Sequence, residues 1–203
     1  MGYTVAKHLF FGSGPHTAVE GSSDFVFLTQ VSEYLVSKGR TGLDPRVSII
    51  PVGGIGNMPA FVALMGRRLD VHALVDGAET VRVIDKVRNA AKAVGIGDQR
   101  IVVIGEMSGL PATADIEDLF TVKDYLWLYS RAVSPLAETD LPRTPEPILR
   151  RLKVTRVQKG QEGTFDHALP AHELTASRAE FFGQVDVATL DQFEELFRLL
   201  KRT

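Results

Sequence analysis

The first half of the chain alternates short apolar segments with longer segments in which apolar residues recur at helical spacing. This alternation restricts the fold strongly, because each helix returns the chain to the same end of the sheet and the strands become parallel. The strand-like segments are HTAVE (16–20), VSIIPV (47–52), VHALVD (71–76) and RIVVIG (100–105), and the helical ones are 24–38, 57–68 and 78–95. The pattern predicts an α/β fold with a parallel sheet flanked by helices. Ligands of such folds bind at the carboxyl ends of the strands.

Local signals mark where individual helices begin and end. Ser22 or Ser23 is suited to cap the first helix, because a serine hydroxyl accepts a hydrogen bond from the free backbone amides at a helix start. Gly39 and Gly95 each follow a helical segment and are suited to end it.

The pattern changes after about residue 112. Residues 114–133 look helical, and a connector with Pro135, Pro142, Pro145 and Pro147 follows. A basic segment at 148–160 then precedes two more helical stretches, at roughly 170–182 and 187–201. We expect residues 1–112 to form the α/β core and 113–203 to form a C-terminal helical elaboration packed on it. A separate second domain is the less favoured alternative.

Composition excludes several classes of protein. The 203 residues include no cysteine, which excludes disulfides and thiolate metal sites and fits a reducing, cytoplasmic location. The apolar runs are too short to span a membrane, and no export signal is visible, so no membrane partner is expected. The net charge of −2 does not indicate a nucleic-acid partner, so binding of nucleic acid would need a local basic surface.

Acidic residues follow several of the predicted strands. Glu20 ends the first strand and Asp76 ends the third, while Asp24 lies in the helical turn just after Glu20. Asp115, Glu117 and Asp118 come shortly after the fourth strand. Carboxylates gathered at one edge of a sheet repel one another unless a cation neutralises them, and oxygen ligands suit Mg²⁺. The alternative for any single acid is a capping role, which fits Asp24 in particular.

Five motifs in this order resemble a TOPRIM domain, and more closely the C-terminal nuclease region of the OLD (overcoming lysogenization defect) family of ATP-dependent endonucleases. They are VEGSSD (19–24), GGIGN (53–57), LVDGAE (74–79), DIEDLF (115–120) and YLWLY (125–129). The resemblance covers roughly residues 5–182. It implies a TOPRIM-like fold and a DNA endonuclease that uses two Mg²⁺ ions, with Mn²⁺ or another divalent ion as a substitute. It also implies an ATPase region N-terminal to this one in the same polypeptide.

The resemblance implies roles for individual residues. Glu20, Asp24, Asp76 and Glu117 match the metal-binding acids of the family. In FDHALPA (165–171), His167 occupies the place of a family lysine, and Lys159 is the alternative for that catalytic role.

The chain departs from the family pattern at one acid. The usual Asp-x-Asp reads Asp76-Gly77-Ala78 here, so the second acid is missing. We expect Glu117, with Asp115, to complete the site. The alternatives are that Glu79 does so or that the site binds fewer metal ions.

A basic segment supplies candidate DNA contacts. The residues are Arg150, Arg151, Lys153, Arg156 and Lys159. Such a stripe can bind the phosphate backbone beside an acidic metal site. The alternative is a solvated face, with Leu152, Val154 and Val157 pointing inward.

The leading hypothesis is therefore a metal-dependent DNA endonuclease. The alternatives are another TOPRIM activity, such as a primase-like or RNA-processing one, a degenerate TOPRIM module that binds nucleic acid or protein without catalysis, and a flavodoxin-like ligand-binding domain. The GGIGN segment lacks the residues of a P-loop, and we interpret it as a tight turn between a strand and a helix.

Overall fold

The sheet lies at the centre of the structure, a computed structural model that describes residues 14–77, 79, 81–161 and 165–201. Its strands are β1 (His16–Val19), β2 (Ser48–Pro51), β3 (Val71–Val75) and β4 (Ile101–Val103). All neighbouring strands pair in parallel, in the order β2-β1-β3-β4. The predicted α/β fold with a parallel sheet is confirmed, as expected for a TOPRIM-like domain. The fourth strand is shorter than predicted, because the chain turns into a 3₁₀ helix at Ile104–Glu106.

Helices make up most of the rest of the described chain. They are α1 (Ser22–Ser37), α2 (Met58–Met65), α3 (Val81–Ala93), α4 (Val122–Ala132), α5 (Ile148–Gln158), α6 (Ala168–Ala176), α7 (Arg178–Phe182) and α8 (Val187–Leu200). Further 3₁₀ helices cover Ile55–Asn57, Asp98–Arg100, Ile116–Leu119 and Glu138–Asp140. Within the described ranges, no helix is both long and apolar enough to cross a bilayer.

The two faces of the sheet bury two different sets of helices. Side chains alternate along a strand, so neighbouring residues point to opposite faces. Ala73 and Val75 of β3 belong to the apolar cluster with α2 and α3. Leu74 belongs to a second cluster that contains α1 and residues of the C-terminal helices. The C-terminal helices therefore cover the sheet face that α2 and α3 leave open.

Aromatic rings join α1 to the C-terminal helices. The Phe120 ring meets the rings of Phe27 in α1 and Phe193 in α8, each with centroids 4.9 Å apart. Tyr125 and Tyr129 of the YLWLY motif are fully buried in the same cluster. Helix α1 and the C-terminal helices thus share one apolar core.

The boundaries of several helices differ from the prediction. Residues 114–133 form a 3₁₀ turn and then α4, because Phe120 is extended and the Thr121 hydroxyl accepts a hydrogen bond from the Asp124 amide to start a new helix. The stretch 170–182 is divided into α6 and α7, which meet at Ser177.

Neither Ser22 nor Ser23 caps α1, so that prediction is wrong. Gly21 occupies the N-cap position, and both serines lie inside the first turn. The Asp24 carboxylate accepts a hydrogen bond from the Gly21 amide at 2.8 Å, which supplies the missing cap. The predicted helix stops are confirmed, since Gly39 and Gly95 have φ angles of +73° and +80° just after α1 and α3.

Candidate active site

Two strand-end acids meet at the carboxyl edge of the sheet. Glu20 follows β1 and Asp76 follows β3, and these two strands are direct neighbours. The Glu20 Oε1 atom accepts a hydrogen bond from the Asp76 backbone amide at 3.2 Å. Parallel pairing therefore places both acids at one point, as the sequence predicted.

An acidic cleft opens at this edge, with a volume of about 570 Å³. It is lined by all six predicted metal-binding acids, which are Glu20, Asp24, Asp76, Glu79, Asp115 and Glu117. His167 and Leu149 also line it, and no lysine or arginine is among the described residues that do so. The acidic cleft therefore gathers six carboxylates without a lysine or arginine among its described residues to balance them.

Close backbone packing brings the segment after β4 to the strand-end acids. The Gly77 amide, one residue after Asp76, donates to the Ala114 carbonyl at 2.7 Å. A Cβ atom on Gly77 would lie 2.7 Å from the Ala112 oxygen, and one on Gly105 would lie 2.0 Å from that same oxygen. Because only glycine fits at these crossings, Asp115 and Glu117 can follow directly into the cleft.

The GGIGN segment forms another wall of the acidic cleft. Gly53 and Gly54 have φ angles of +77° and +102°, which favour glycine. The Asn57 side chain donates to the carbonyls of Val52 and Gly53, each at 3.0 Å, and the Gly54 amide donates to the Glu20 carbonyl at 2.7 Å. This geometry confirms the interpretation as a tight turn between a strand and a helix.

Burial and mutual repulsion disfavour charge on these acids. Desolvation by burial is the main cause that raises the pKa of Glu20 to about 7, and the Glu79 and Asp24 carboxylates add to it. Burial also raises the pKa of Glu117 to about 8, with Asp115 contributing. The pKa of Asp76 is raised well above its ordinary value by burial and then by Asp24 and Glu20. The acids cannot all be charged together unless a cation joins them.

Two acidic side chains, those of Asp24 and Asp118, also accept hydrogen bonds from backbone amides. Asp24 lines the acidic cleft and caps α1 at the same time, so its predicted alternative role as a cap is confirmed. Asp118 uses both carboxylate oxygens structurally, accepting from the Asp115 amide at 2.9 Å and from the Ile148 amide at 2.8 Å. Asp118 therefore braces the start of α5, and it does not line the cleft.

The donor set fits a hydrated hard cation. Among the residues that the structure describes, no three His, Asp or Glu side chains are arranged to hold one metal ion. Mg²⁺ commonly binds through one or two carboxylates and keeps several waters, so a site for it does not need three converging side chains. The oxygen-only acids suit Mg²⁺ or Mn²⁺ better than a softer metal.

The two candidates for the family lysine lie in different places. His167 lines the acidic cleft, with its Nδ1 atom 3.9 Å from Oε1 of Glu117, and 48% of its side chain is exposed. Burial lowers its pKa. Lys159 lies outside the lining of the cleft and pairs with Asp140 at 3.0 Å. Only His167 is near the acids, and Ala78, the position of the missing acid, lies outside the described residues.

The basic segment forms α5 and contributes to a second concavity, the cationic groove, of about 480 Å³. Its lining consists of Leu149, Arg150, Lys153, Arg156, Val157, Phe165 and His167. Leu149 and His167 also line the acidic cleft, so the two concavities adjoin. The cationic groove collects three of the five predicted DNA-binding residues beside the candidate metal site.

The other two predicted DNA-binding residues point away from the cationic groove. Arg151 donates from Nε to the Pro142 carbonyl at 2.9 Å, and Lys159 pairs with Asp140. The alternative of an inward apolar set is wrong for two of its members. Leu152 is buried, but Val154 and Val157 are 41% and 69% exposed, because a helix turns them away from the core.

Comparison with solved structures finds a similarity to the C-terminal region of the Xanthomonas campestris pv. campestris OLD protein. It covers 95% of this chain and 97% of that chain, with 15% sequence identity and a TM-score of 0.46. At this identity and TM-score it does not indicate which residues act. No protein-family model matches the sequence, and no curated protein matches it.

Phe165 is a candidate site residue that the sequence did not reveal. Its ring stacks on the His167 ring, with centroids 4.8 Å apart and planes 24° apart, and it lines the cationic groove. The only sequence signal was its position two residues before His167 in FDHALPA. An aromatic residue in a loop usually indicates packing, and only the structure shows that its neighbour is the residue at the cleft.

Proposed function

We propose that this chain is a divalent-metal-dependent nuclease domain that cleaves DNA phosphodiester bonds. The observation that carries the proposal is the convergence of six carboxylates in one cleft whose described lining includes no lysine or arginine. Such a site is stabilised by divalent cations and is suited to hold them against a phosphate.

The strand-end acids would hold the ions. Glu20 and Asp76 lie within one hydrogen bond of each other, and the buried Glu117 approaches from the segment after β4. Two bound divalent ions would activate the attacking water and stabilise the leaving oxygen. With Ala78 in place of the second Asp, we propose that Glu117 supplies the compensating carboxylate.

His167 would assist beside the metal-binding acids. Its lowered pKa favours a neutral imidazole near pH 7, which can accept a proton or donate a hydrogen bond. The half-exposed ring lies between the acidic cleft and the cationic groove, where a bound phosphate would pass.

The cationic groove would hold the DNA backbone. Arg150, Lys153 and Arg156 provide a local positive surface on a chain whose net charge is −2. Phosphate contacts of this kind fix the position of a nucleic acid without reading its sequence.

A plasmid nicking assay with Mg²⁺ or Mn²⁺ tests the proposal. The wild-type chain should convert supercoiled plasmid to the nicked form, chelator should stop the reaction, and Asp76→Asn should abolish it. Asp118→Asn is the matched control, because it removes one charge from an acid that braces α5 outside the cleft. The proposal fails if Asp76→Asn cleaves at the wild-type rate.

A nucleic-acid-binding module without catalysis is the second candidate. Two observations favour it: within the described residues no three side chains are arranged to hold one ion, and His167 stands where the family has lysine. This candidate predicts DNA binding that is equal with and without Mg²⁺, and no nicking in either condition.

A further inference from the structure

The cationic groove combines two properties that phosphate binding alone does not require. Its walls include the apolar side chains of Leu149 and Val157 and the ring of Phe165, and three cationic side chains surround them. A groove that only followed a phosphate backbone would need the cations but not the apolar and aromatic surface. A ligand that matches both properties is flat and apolar on one part and anionic on another.

The three cations of the groove are available to a ligand. Among the described residues, Arg150, Lys153 and Arg156 form no ion pair with an acid, whereas Lys159 on the same segment is paired with Asp140. Arg156 is oriented by hydrogen bonds from its guanidinium to the Tyr129 hydroxyl and the Gln161 side chain. Its guanidinium also lies 5.7 Å from the centre of the Phe165 ring.

Phe165 and His167 form an aromatic pair, which packs against the protein on the Phe165 side and is exposed on the His167 side. Phe165 packs edge-to-face on the buried Tyr129 ring, with centroids 5.2 Å apart, and the His167 ring stacks on Phe165. The His167 side chain remains about half exposed. The pair therefore forms a fixed platform at the junction between the cationic groove and the acidic cleft.

We infer that this platform binds an unpaired base of the substrate strand. The base stacks on His167 above Phe165, and the flanking phosphates contact Arg150, Lys153 and Arg156. Stacking on aromatic side chains beside a positive groove is the usual mode of single-strand recognition, because every base has a flat face. In a duplex the bases stack on one another and cannot reach the platform, so the preferred substrate is single-stranded or frayed DNA. This inference rests on the proposed nuclease function, because it places that strand next to the metal site.

The test measures binding in the presence of chelator, so that cleavage plays no part. A fluorescent single-stranded oligonucleotide and the blunt duplex of the same sequence are titrated with the wild-type chain, His167→Ala and His167→Phe. His167→Ala should weaken single-strand binding roughly 5- to 150-fold, the range for loss of one base–aromatic stack, and should change duplex binding little. His167→Phe should restore single-strand binding, because it keeps a flat ring and removes the imidazole.

Two further measurements, with a second variant and with a competitor, test whether the binding depends on base stacking. Phe165→Leu keeps apolar volume and should also lower single-strand affinity, with its thermal melting temperature reported beside it to show that it folds. Deoxyadenosine monophosphate is added as a competitor, and it should displace the oligonucleotide only at concentrations far above the oligonucleotide's own Kd. Displacement at comparable concentration would overturn the inference in favour of a free-nucleotide site.

The remaining outcomes separate this inference from the proposed function. If His167→Ala lowers single-strand and duplex affinity equally, or His167→Phe fails to restore binding, the platform does not stack a base and the inference is overturned. Metal-dependent nicking by the wild type would still stand in that case. If stacking is confirmed but no metal supports cleavage, the proposed nuclease function fails instead.

Discussion

The acidic cleft and the cationic groove share Leu149 and His167 but are built in opposite ways. The acidic cleft is formed by strand ends and tight turns, where backbone hydrogen bonds and glycine crossings fix each carboxylate. The cationic groove is formed mainly by one face of α5, whose long side chains reach out from a single helix. Rigid positioning suits metal coordination, and mobile long side chains suit a variable phosphate backbone.

The opposite charges of the two regions do not neutralise each other. Among the described residues, no ion pair joins Glu20, Asp24, Asp76 or Glu117 to the cationic side chains of the groove. Under the proposed function, each region binds a ligand of the opposite sign, a divalent cation in the acidic cleft and a phosphate in the cationic groove. This division is tested by changing the residues of one region and measuring the binding property assigned to the other region.

The largest effect is expected from the acids proposed to hold metal. Glu117→Gln, which keeps shape and removes charge, should lower metal-dependent cleavage nearly as much as Asp76→Asn. The loss should exceed the roughly 10- to 100-fold cost typical of residues that only orient metal ligands. Initial nicking rates at saturating Mg²⁺ provide the measurement.

Two control variants refine this prediction. Asp118→Asn should cost less, because its oxygens bind the Asp115 and Ile148 amides outside the cleft. Normal cleavage by Glu117→Gln together with loss of cleavage by Glu79→Gln would show that Glu79, and not Glu117, replaces the missing acid.

The next effect concerns DNA binding. Changing Arg150, Lys153 and Arg156 together to Ala should weaken DNA binding and reduce its salt dependence. The log–log slope of affinity against salt should fall by about one for each phosphate that the variant no longer neutralises. Arg151 is left unchanged, because it points to Pro142 and not into the groove.

A matched triple variant provides the control for charge. Arg82, Lys86 and Lys92 are exposed on α3, which packs on the opposite face of the sheet, and their change to Ala removes the same formal charge. An equal loss of affinity in both triple variants would mean that the cationic groove has no special role.

The parts of the site that the sequence predicted are those set by chain direction. Glu20 and Asp76 lie at the same edge because they end parallel strands, which the alternating pattern predicted, whereas the strand order that makes β1 and β3 neighbours came from the structure. The grouping of the basic residues could not be predicted in the same way, because the sequence treated them as one stripe. In the structure, Arg150 and Lys153 line the cationic groove, whereas Arg151 leaves the same helix in another direction and contacts Pro142. Phe165 was missed because its contact with Tyr129 joins distant parts of the chain.

A smaller effect is expected on stability when the backbone crossing beneath the cleft is disturbed. Gly105→Ala places a Cβ atom against the Ala112 carbonyl, a backbone atom that cannot move cheaply. We expect a loss of about 1–3 kcal/mol in the free energy of unfolding, typical of overpacking. Urea unfolding measures it, with Gly56→Ala as control, because a Cβ atom there meets no other atom within 4 Å. Equal stability of the two variants would contradict the tight crossing.

The last effect is a dependence of stability on pH in the metal-free chain. The folded-state pKa values of Glu20 and Glu117, about 7 and about 8, lie above the ordinary value of 4.5. Between these values the folded chain holds protons that the unfolded chain has released, so these two groups make stability fall as pH rises from about 5 to 8. Differential scanning fluorimetry should show this decline. Mg²⁺ should raise the melting temperature more at pH 8 than at pH 5, because it binds the charged carboxylates. Equal Mg²⁺ effects at the two pH values would contradict the assignment.

Binding of Mn²⁺, followed by electron paramagnetic resonance during titration into the metal-free chain, tests the central claim most directly. The division between the two regions predicts that the wild type binds Mn²⁺, that Asp76→Asn loses most of this binding, and that the Arg150, Lys153 and Arg156 triple variant binds as the wild type does. Mn²⁺ binding by Asp76→Asn with wild-type affinity would contradict the claim that the acidic cleft is the metal site.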